Sequence, residues 1–308
     1  MEEWLVDPAE AGTRLDHVVA ARADLSHAAA RRVIDDGAVR VNGKRARKGA
    51  RVAAGDRVTV HGTLPRPEAL RPIAEPDMPL AVLHEDDDCV AVDKPPGIPS
   101  HPLRAGERGT LAGALVARFP ECAGAGADPR EAGLVHRLDG DTSGVLVAAR
   151  HRDAWDSLRA AFREGRARKS YLALVEGVIA AAGTIETAVT HDPADRRKTL
   201  VVPLYTPGAR DALTRYRPIG SAAGVTLVEA HTATGRMHQV RAHLAHIGHP
   251  LIGDLLYGGP PALEGAPGHF LHAAWIALPH PRGGTLEVRA SLPPERAALL
   301  ARLGIAPG

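Results

Sequence analysis

Cysteine, long apolar runs and net charge are all scarce in this sequence. Only Cys89 and Cys122 occur among the 308 residues, and they do not form a CxxC pair. A disulfide framework or a thiolate zinc site therefore has no support. Residues 1–13 are acidic and lack a basic start followed by an apolar run, and no uncharged apolar stretch reaches membrane-spanning length. We expect no signal peptide, no membrane association and a cytoplasmic location.

The formal net charge of +2 is small for a protein that binds nucleic acid. Any such surface must then come from local segregation of charge. Segregation is present between Thr13 and Val60, where eleven Lys and Arg residues stand against five acids. This excess of six positive charges leaves the rest of the chain with a net charge of −4. The N-terminal region is therefore a candidate RNA-binding surface.

Length and proline content indicate two domains. With 308 residues and 44% hydrophobic content, the chain is long for one compact unit. Residues 62–79 contain five prolines, a density that favours a stiff extended connector. We predict an RNA-binding domain at residues 1–62, a Pro-rich linker at 63–79 and a larger domain at 80–308.

The N-terminal segment has the pattern of a helix pair followed by a β-ribbon. Ser26 can cap the second helix and Gly37 can end it. Asn42-Gly43 is a strong hairpin signal, and Gly55-Asp56 predicts a turn before a strand at 57–61. Apolar residues line one face of each helix: Leu15, Val18 and Val19 in the first, and Ala29, Ala30, Val33 and Ile34 in the second.

The basic residues of this segment are clustered and have one sign. A run of charges is usually only a solvated face, but a cluster of positive charges favours contact with RNA phosphates. The strand that follows Asn42-Gly43 is expected to run as far as Arg51 and to carry several of them. The candidate RNA-binding residues are Arg14, Arg31, Arg32, Lys44, Arg45, Arg47 and Lys48.

Beyond residue 79, short strand-like runs alternate with helical stretches. This predicts the α+β class, with a mixed, largely antiparallel central sheet flanked by helices. The Gly/Ala-rich stretch 122–133 has no periodicity and is predicted to be a mobile surface loop. The predicted strands are 80–83, 89–93, 144–149, 171–175, 226–230 and 285–290, and the predicted helices are 111–119, 153–163, 236–247 and 294–303.

The most informative string is His136-Arg137-Leu138-Asp139-Gly140-Asp141-Thr142-Ser143-Gly144. Its polar groups crowd together directly before an apolar strand, and a loop of this kind is often functional. A polar turn, in which Asp139 or Asp141 only caps backbone amides, is an equally good interpretation from spacing alone.

This string closely resembles the signature His-Arg-Leu-Asp-x-x-Thr-Ser-Gly of the RluA-type pseudouridine synthases. Further motifs of the family follow in its order. From Arg14 to Val60, the pattern also resembles the RNA-binding module of ribosomal small-subunit protein four. The resemblance implies an RNA-binding module and an enzyme that isomerises uridines in structured RNA without cofactor or metal. The further motifs are Lys94-Pro95-Pro96-Gly97 with His101-Pro102, and residues 169–177, 234–241, 248–254 and 256–258.

The resemblance also implies roles for single residues. Asp139 is the catalytic carboxylate, which either attacks the anomeric carbon of the sugar or takes its 2′ proton. Tyr171 stacks on the uracil, although without the family it would be taken as a core-facing strand residue. Arg137 fills the place of the extruded base, or else binds a phosphate or pairs with Asp141. Gly140 departs from the family, in which many members carry a basic residue.

Arg241 is the third candidate catalytic residue. On the predicted helix 236–247 it falls at the margin of an apolar stripe, so its guanidinium should be partly buried and should need an acidic partner. The resemblance supplies Asp139 as that acid, which would keep the carboxylate ionised. A structural bridge to Asp254 or Glu229 is the alternative.

The loop 191–199 resembles a family segment near the RNA. Its basic residues Arg196, Arg197 and Lys198 would contact phosphates without reading bases. From composition alone, an exposed basic loop without function is equally possible.

Two other classes of function would also explain some of these residues. A metal-dependent hydrolase is suggested by five histidines, but no HExxH-type pair exists and only His243 and His246 are helical neighbours. A non-catalytic ribosome-assembly factor that binds RNA would fit the N-terminal module, yet the catalytic motifs are intact. We expect ribosomal RNA of the large subunit as substrate, transfer RNA as the alternative, and a monomer. The five histidines are His231, His238, His243, His246 and His249.

Overall fold

The computed structural model describes residues 2–23, 25, 27–47, 49–62, 70–195 and 197–307, and only the backbone of Ala28 and Arg32. The chain divides into two compact units. The first comprises Met1–Arg71 with Pro102–Glu107 and Asp128–Arg130, and the second comprises Pro72–His101, Arg108–Ala127 and Glu131–Gly308. The predicted domain bounds 1–62, 63–79 and 80–308 stay a prediction. Ser26 and linker residues 63–69 lie outside the described residues.

The first unit packs two helices against a small antiparallel sheet. Helix α1 (Leu15–Arg22) and helix α2 (His27–Asp35) bury the apolar faces predicted for them. Residues three and four apart lie on one side of a helix, which explains the burial of Leu15, Val18 and Val19. The strands are β1 (Glu2–Leu5), β2 (Val39–Val41), β3 (Lys44–Arg45) and β4 (Arg57–Val60), in the order β1-β4-β2-β3.

The turn at Asn42-Gly43 is confirmed. Asn42 has φ 51° and Gly43 has φ 77°, and Arg40 pairs with Arg45 across a two-residue loop. Both central residues are left-handed, which is the geometry that matches the twist of a hairpin. The predicted strand to Arg51 is wrong, because β3 ends at Arg45 and its partner β2 is only three residues long.

The second unit is built on one large sheet. It has ten strands in the order β10-β9-β11-β12-β8-β13-β7-β6-β5, with β14 paired to β13. Only the β13–β7 pairing is parallel among these strands of the described chain, which confirms the predicted mixed, largely antiparallel α+β class. The strands are β5 (Ala81–Glu85), β6 (Cys89–Lys94), β7 (Ser143–Ala149), β8 (Arg168–Glu176), β9 (Gly183–His191), β10 (Thr199–Val202), β11 (Arg210–Ala222), β12 (Val225–Thr232), β13 (Leu271–Pro279) and β14 (Thr285–Arg289).

Helices cover both faces of β6 and β7. Alternate side chains of these strands pack on α3 (Leu111–Arg118) on one face and on α4 (Arg152–Arg163) on the other. Successive strand residues point to opposite faces, so residues 89–92 of β6 and 145–149 of β7 are all apolar. The polar string before β7 is thereby attached to a rigid, fully buried strand.

Two predictions about the second unit are wrong. The stretch 122–133 is not a surface loop, since Pro120–Gly124 forms a 3₁₀ helix and Cys122, Ala125 and Ala132 are buried in the core. Helix α5 spans Gln239–His246 rather than 236–247. It starts late because His238 takes the left-handed conformation, with φ 51°, and a left-handed residue interrupts a right-handed helix.

The last helix, α6, is Pro294–Leu303, as predicted. Pro294 occupies its first turn, where proline costs no hydrogen bond. Gly304 ends it in the left-handed conformation with φ 72°. Among the described residues, no helix is both long and apolar enough to cross a membrane.

Candidate active site

A polar cleft opens in the second unit where the loop before β7, the start of β8 and the start of α5 meet. It joins residues that are far apart in the chain, including all three candidate catalytic residues. Its walls are Arg137, Leu138, Asp139, Thr142, Lys169, Tyr171, Thr232, Thr234, Gly235, Arg236, His238, Gln239, Val240, Arg241 and Leu271.

Asp139 lies in this cleft with 27% of its side chain exposed. Arg241 Nη1 donates to its Oδ2 at 2.9 Å, and His238 Nε2 lies 3.6 Å from its Oδ1. Burial alone would raise the pKa of the carboxyl, but the charges of His238 and Arg241 hold this pKa below its ordinary value. Burial lowers the pKa of His238, so at neutral pH Arg241 carries the positive charge that keeps Asp139 ionised.

Arg241 is buried and contacts two carboxylates. Its Nε and Nη2 donate to Asp254 at 2.7 and 2.8 Å, while Nη1 donates to Asp139. Both pairings considered from the sequence thus occur together. Glu229 is not a partner of Arg241, since it pairs with Arg217. The bidentate fork fixes the guanidinium on Asp254 and leaves one N–H directed at Asp139.

The backbone around Asp139 is anchored by its neighbours. His136 Nε2 accepts the N–H of Val147 at 3.1 Å, and burial lowers the pKa of His136 to about 3, so the ring is neutral. Ser100 Oγ donates to the carbonyl of Leu138 at 2.7 Å and accepts its N–H at 3.1 Å. These bonds hold the residues before Asp139 and leave its side chain directed into the cleft.

Lys94 anchors the residue after Asp139. Its ammonium is fully buried and donates to the carbonyls of Pro95, Ile98 and Gly140 at 2.9, 2.6 and 2.6 Å. Burial lowers the pKa of Lys94 to about 7. The sequence marks Lys94 only as part of a motif and does not reveal this contact, which depends on the tertiary fold.

Tyr171 lines the cleft from β8 and also packs against two core clusters. Its core-facing and cleft-facing interpretations are therefore compatible. Its hydroxyl is hydrogen-bonded to Thr232, and burial together with the nearby Asp139 raises the pKa of the phenol well above its ordinary value. Tyr171 is thus a neutral aromatic side chain at neutral pH.

His238 and Tyr257 are site residues that the sequence did not predict to support Asp139. A hydrogen bond of 3.0 Å joins His238 Nδ1 to the Tyr257 hydroxyl, and the Arg241 guanidinium lies 5.1 Å from the centre of the Tyr257 ring. Both residues fall inside strings that match the family, and His238 also belongs to the five histidines that suggested a metal site. Tyr257 therefore contacts both His238 and Arg241, the two residues next to the Asp139 carboxylate.

Arg137 is exposed at the rim of the cleft. The alternative pairing with Asp141 is not formed in the described chain, where the Asp141 carboxylate lies 3.8 Å from His269 Nδ1. Gly140 is exposed, and a Cβ atom added there would meet no atom within 4 Å. A larger side chain would fit at Gly140, so its absence is not imposed by packing.

The basic candidates of the first unit fall into two groups. Arg14 and Arg31 pair with the buried Asp16 at 2.9 and 2.7 Å, and their guanidinium groups remain partly exposed. Three others are exposed: Lys44, Arg45 and Arg47.

Some candidates cannot be placed. The Arg32 side chain, Lys48 and Arg196 lie outside the described residues. In the loop before β10, Arg197 pairs with Asp195 at 2.8 Å and is 80% exposed, while Lys198 is half-buried.

The histidines that suggested a metal site are engaged separately. His243 Nε2 is hydrogen-bonded to Thr187 at 3.1 Å, His238 to Tyr257, and His249 to the carbonyl of Glu176 at 2.8 Å. Within the described residues, none of the five belongs to a group of three potential metal ligands.

Comparisons with known proteins agree with this site. The RNA pseudouridylate synthase family matches residues 88–246, and the S4 domain matches residues 13–58. An uncharacterized RNA pseudouridine synthase of Chloroflexus aurantiacus is 40% identical over 97% of this chain and 92% of its own length. Ribosomal large subunit pseudouridine synthase D of Xanthomonas campestris is 36% identical over 95% and 89%. The structure of human RNA pseudouridylate synthase domain containing 4 aligns with a TM-score of 0.58 at 26% identity, over 73% of this chain and 94% of that one. The chain belongs to the RNA pseudouridine synthase family and carries an N-terminal S4 domain.

Proposed function

We propose that this enzyme converts uridines of large-subunit ribosomal RNA to pseudouridine, with Asp139 as the carboxylate that acts on the sugar. The observation that carries the proposal is the Asp139 carboxylate in a polar cleft, paired with Arg241 and sharing that cleft with the ring of Tyr171. The name of the Xanthomonas relative, similar over most of both chains, supports the large ribosomal subunit as the source of the RNA.

The reaction breaks the bond from uracil N1 to the anomeric carbon and forms a bond from that carbon to uracil C5. C5 then loses its proton and the freed N1 gains one, so that substrate and product are isomers. Asp139 acts either as nucleophile at the anomeric carbon or as base for the 2′ proton. Both routes need the ionised carboxylate that Arg241 favours. The detached base must rotate without escaping, so the cleft must hold it closely.

Tyr171 and Arg137 assist the extrusion and binding of the base. A uridine in folded RNA is extruded at a cost of about a few kcal/mol. Tyr171 stacks on the uracil within the cleft. The exposed Arg137 occupies the gap left in the RNA, since a planar guanidinium stacks and donates hydrogen bonds much as a base does.

RNA phosphates are held by the basic residues of both units. In the S4 domain these are Arg14, Arg31, Arg32, Lys44, Arg45, Arg47 and Lys48, and in the loop before β10 they are Arg196, Arg197 and Lys198. Phosphate contacts fix the register of the RNA without reading its sequence.

A deletion strain of the source organism, complemented with the wild-type gene or with Asp139→Asn, tests the proposal. Carbodiimide mapping should show pseudouridines in large-subunit ribosomal RNA that vanish in the deletion strain and return only with the wild-type gene. Loss confined to transfer RNA would establish the alternative substrate. Return of ribosome assembly with Asp139→Asn, without any change in pseudouridines, would identify an assembly factor instead.

A further inference from the structure

Arg296 of α6 lies directly behind the loop that carries Asp139. It is 1% exposed, and both terminal nitrogens of its guanidinium are occupied. Nη1 donates to Ser143 Oγ at 2.9 Å and to the carbonyl of Leu271 at 2.6 Å. Nη2 donates to the carbonyls of Asp141 and His269 at 2.7 and 2.9 Å.

These four acceptors belong to two segments of the chain. Asp141 and Ser143 follow Asp139, whereas His269 and Leu271 lead into β13. Each terminal nitrogen bridges one acceptor of the first segment to one of the second. A planar guanidinium can do this because its N–H groups point in fixed, divergent directions.

The same two segments are also paired directly. A hydrogen bond of 2.8 Å joins Thr142 Oγ1 to His269 Nε2, and another of 2.9 Å joins Ser143 Oγ to His272 Nδ1. The N–H of Thr142 donates to the carbonyl of Asp139 at 3.1 Å, so a shift of Thr142 moves Asp139 as well. Arg296 is thus hydrogen-bonded to a turn that includes Asp139.

The buried charge of Arg296 needs compensation from its surroundings. Among the described residues no carboxylate forms a salt bridge with it, and its four partners are neutral oxygens. A buried cation without an acidic partner costs several kcal/mol unless its hydrogen bonds are satisfied. An apolar side chain would fill the same volume more cheaply if packing were its only task.

We propose that Arg296 is a positioning residue for the isomerisation, which holds the turn 139–143 so that Asp139 meets Arg241 and the sugar in the correct geometry. This inference rests on the proposed function. Arg296 lies about 150 residues after Asp139 in sequence, on a helix outside the family match at residues 88–246. The C-terminal helix therefore takes part in catalysis through the backbone of the turn.

Three variants of the full chain test the role: Arg296→Met, Arg296→Lys and the control Arg302→Met. Arg302 lies on the same helix and also donates to a backbone carbonyl, that of Glu264 at 2.6 Å, but it is exposed and away from the turn. Single-turnover rates at saturating RNA are measured against pH, together with the dissociation constant for RNA and the thermal melting temperature.

Arg296→Met should lower the single-turnover rate about ten- to a hundredfold, since a misplacement of about 1 Å costs that much. The RNA dissociation constant should stay within about threefold, because the turn contributes position rather than affinity. The acid limb of the pH profile should move to higher pH, because a displaced Asp139 loses the bond from Arg241. Arg296→Lys should recover part of the rate, and Arg302→Met should resemble wild type. A wild-type rate and pH profile in folded Arg296→Met would overturn the proposal.

The proposal can still be tested if Arg296→Met does not fold or if the wild-type protein proves inactive. If Arg296→Met does not fold, Arg296→Lys decides alone, because one ammonium cannot bridge four acceptors and a wild-type rate and profile would then overturn the role. If the wild-type protein is inactive on every RNA, the proposed function fails. Amide hydrogen exchange still tests whether Arg296 holds the turn 139–143 in place. Faster exchange at 139–143 in Arg296→Lys than in Arg302→Met supports it, and equal exchange refutes it.

Discussion

At the scale of single residues, the site is organised by one cation between two carboxylates. The Asp254 side chain is 1% exposed and accepts two hydrogen bonds from Arg241. The Asp139 side chain is 27% exposed and accepts one. The more deeply buried acid therefore fixes the arginine, and the more open acid remains available to react. Arg241 can then stabilise the charge of Asp139 without covering both of its oxygens.

Asp139→Asn should abolish pseudouridine formation and leave the fold intact. The amide has nearly the shape of the carboxylate but can act neither as nucleophile nor as base. Single-turnover assays on a ribosomal RNA fragment should give less than about a thousandth of the wild-type rate. Thermal melting and RNA binding are the controls, and turnover above that level in folded protein would disprove the role of Asp139.

Arg241→Lys should keep the fold and lower the single-turnover rate by about ten- to a hundredfold. An ammonium is a point charge that cannot hold Asp254 in a fork and reach Asp139 as well. His238 and Arg241 together hold the folded-state pKa of Asp139 below its ordinary value, so weakening the Arg241 contact raises this pKa. The ionised form that the reaction needs is then lost at a higher pH. The measurement is the rate from about pH 4 to 9, where the acid limb should move upward.

Arg217→Lys is the matched control for Arg241→Lys, since Arg217 forms an exposed salt bridge with Glu229 outside the cleft. It should leave both the rate and the acid limb unchanged. Arg241→Met should be worse than Arg241→Lys, because the nearly inaccessible Asp254 would lose its partner at a cost of about 3–5 kcal/mol. An unchanged acid limb in Arg241→Lys would assign Arg241 a purely structural role.

The sequence predicts part of this site, and the rest depends on tertiary contacts. The resemblance places Asp139, Tyr171 and Arg241 together, and the structure brings them to one cleft. The orientation of His238 could not be predicted, because the apolar periodicity continues across it although its backbone is left-handed. The contact of Arg296 with the turn is also invisible in sequence, since neither its spacing nor its type indicates the distant carbonyls it meets.

At the scale of elements, the sequence misses these of the described strands: β1, β9, β10, β11 and β13. Of all the strands described, β11 is the longest. β11 contains Pro218 and Gly220, where its register with β12 shifts. Proline and glycine interrupt a strand pattern but are tolerated at a bulge. The strongly apolar β6 and β7 were predicted because both of their faces are buried.

Gly144→Ala should be destabilising, because Gly144 lies where β7 meets β13. Its φ is +111°, and an added Cβ would collide with the backbone of Ala273. Chemical denaturation should show a loss of about 3 kcal/mol or more in unfolding free energy, from strain and from the clash together. The matched control is Gly140→Ala, where the added methyl group meets open space, and its effect should stay within about 0.5 kcal/mol. Equal stability of the two variants would contradict this account of the β7–β13 junction.

At the scale of the whole molecule, charge is divided between the two units. The excess of six positive charges lies within residues 13–60, which nearly coincide with the S4 domain at 13–58. Part of this charge is neutralised locally, because Asp16 pairs with both Arg14 and Arg31. Lys44 and Arg45 of the hairpin and Arg47 just after it are exposed, and they are therefore the best placed to meet phosphates.

Replacing Lys44, Arg45 and Arg47 together by glutamine should make RNA binding less sensitive to salt. If each side chain contacts one phosphate, the slope of log affinity against log salt should fall by about three, since each lost contact removes roughly one released counterion. The RNA dissociation constant at low salt should rise, while the single-turnover rate at saturating RNA should stay near wild type, because these residues belong to the first unit and not to the cleft. Salt-dependent binding to a ribosomal RNA fragment measures the slope.

The matched control replaces Arg152, Arg163 and Arg166 by glutamine, which changes the net charge equally. These arginines lie on or next to α4, are exposed, and pair with acids of that helix or its end. If binding depends only on net charge, both triple variants should lose the same slope, because a distant field does not distinguish where the charges lie. If the hairpin contacts phosphates, the slope falls only in the variant of Lys44, Arg45 and Arg47, because counterions are released at the sites of contact. Equal slopes would therefore show that the hairpin makes no specific contact with RNA.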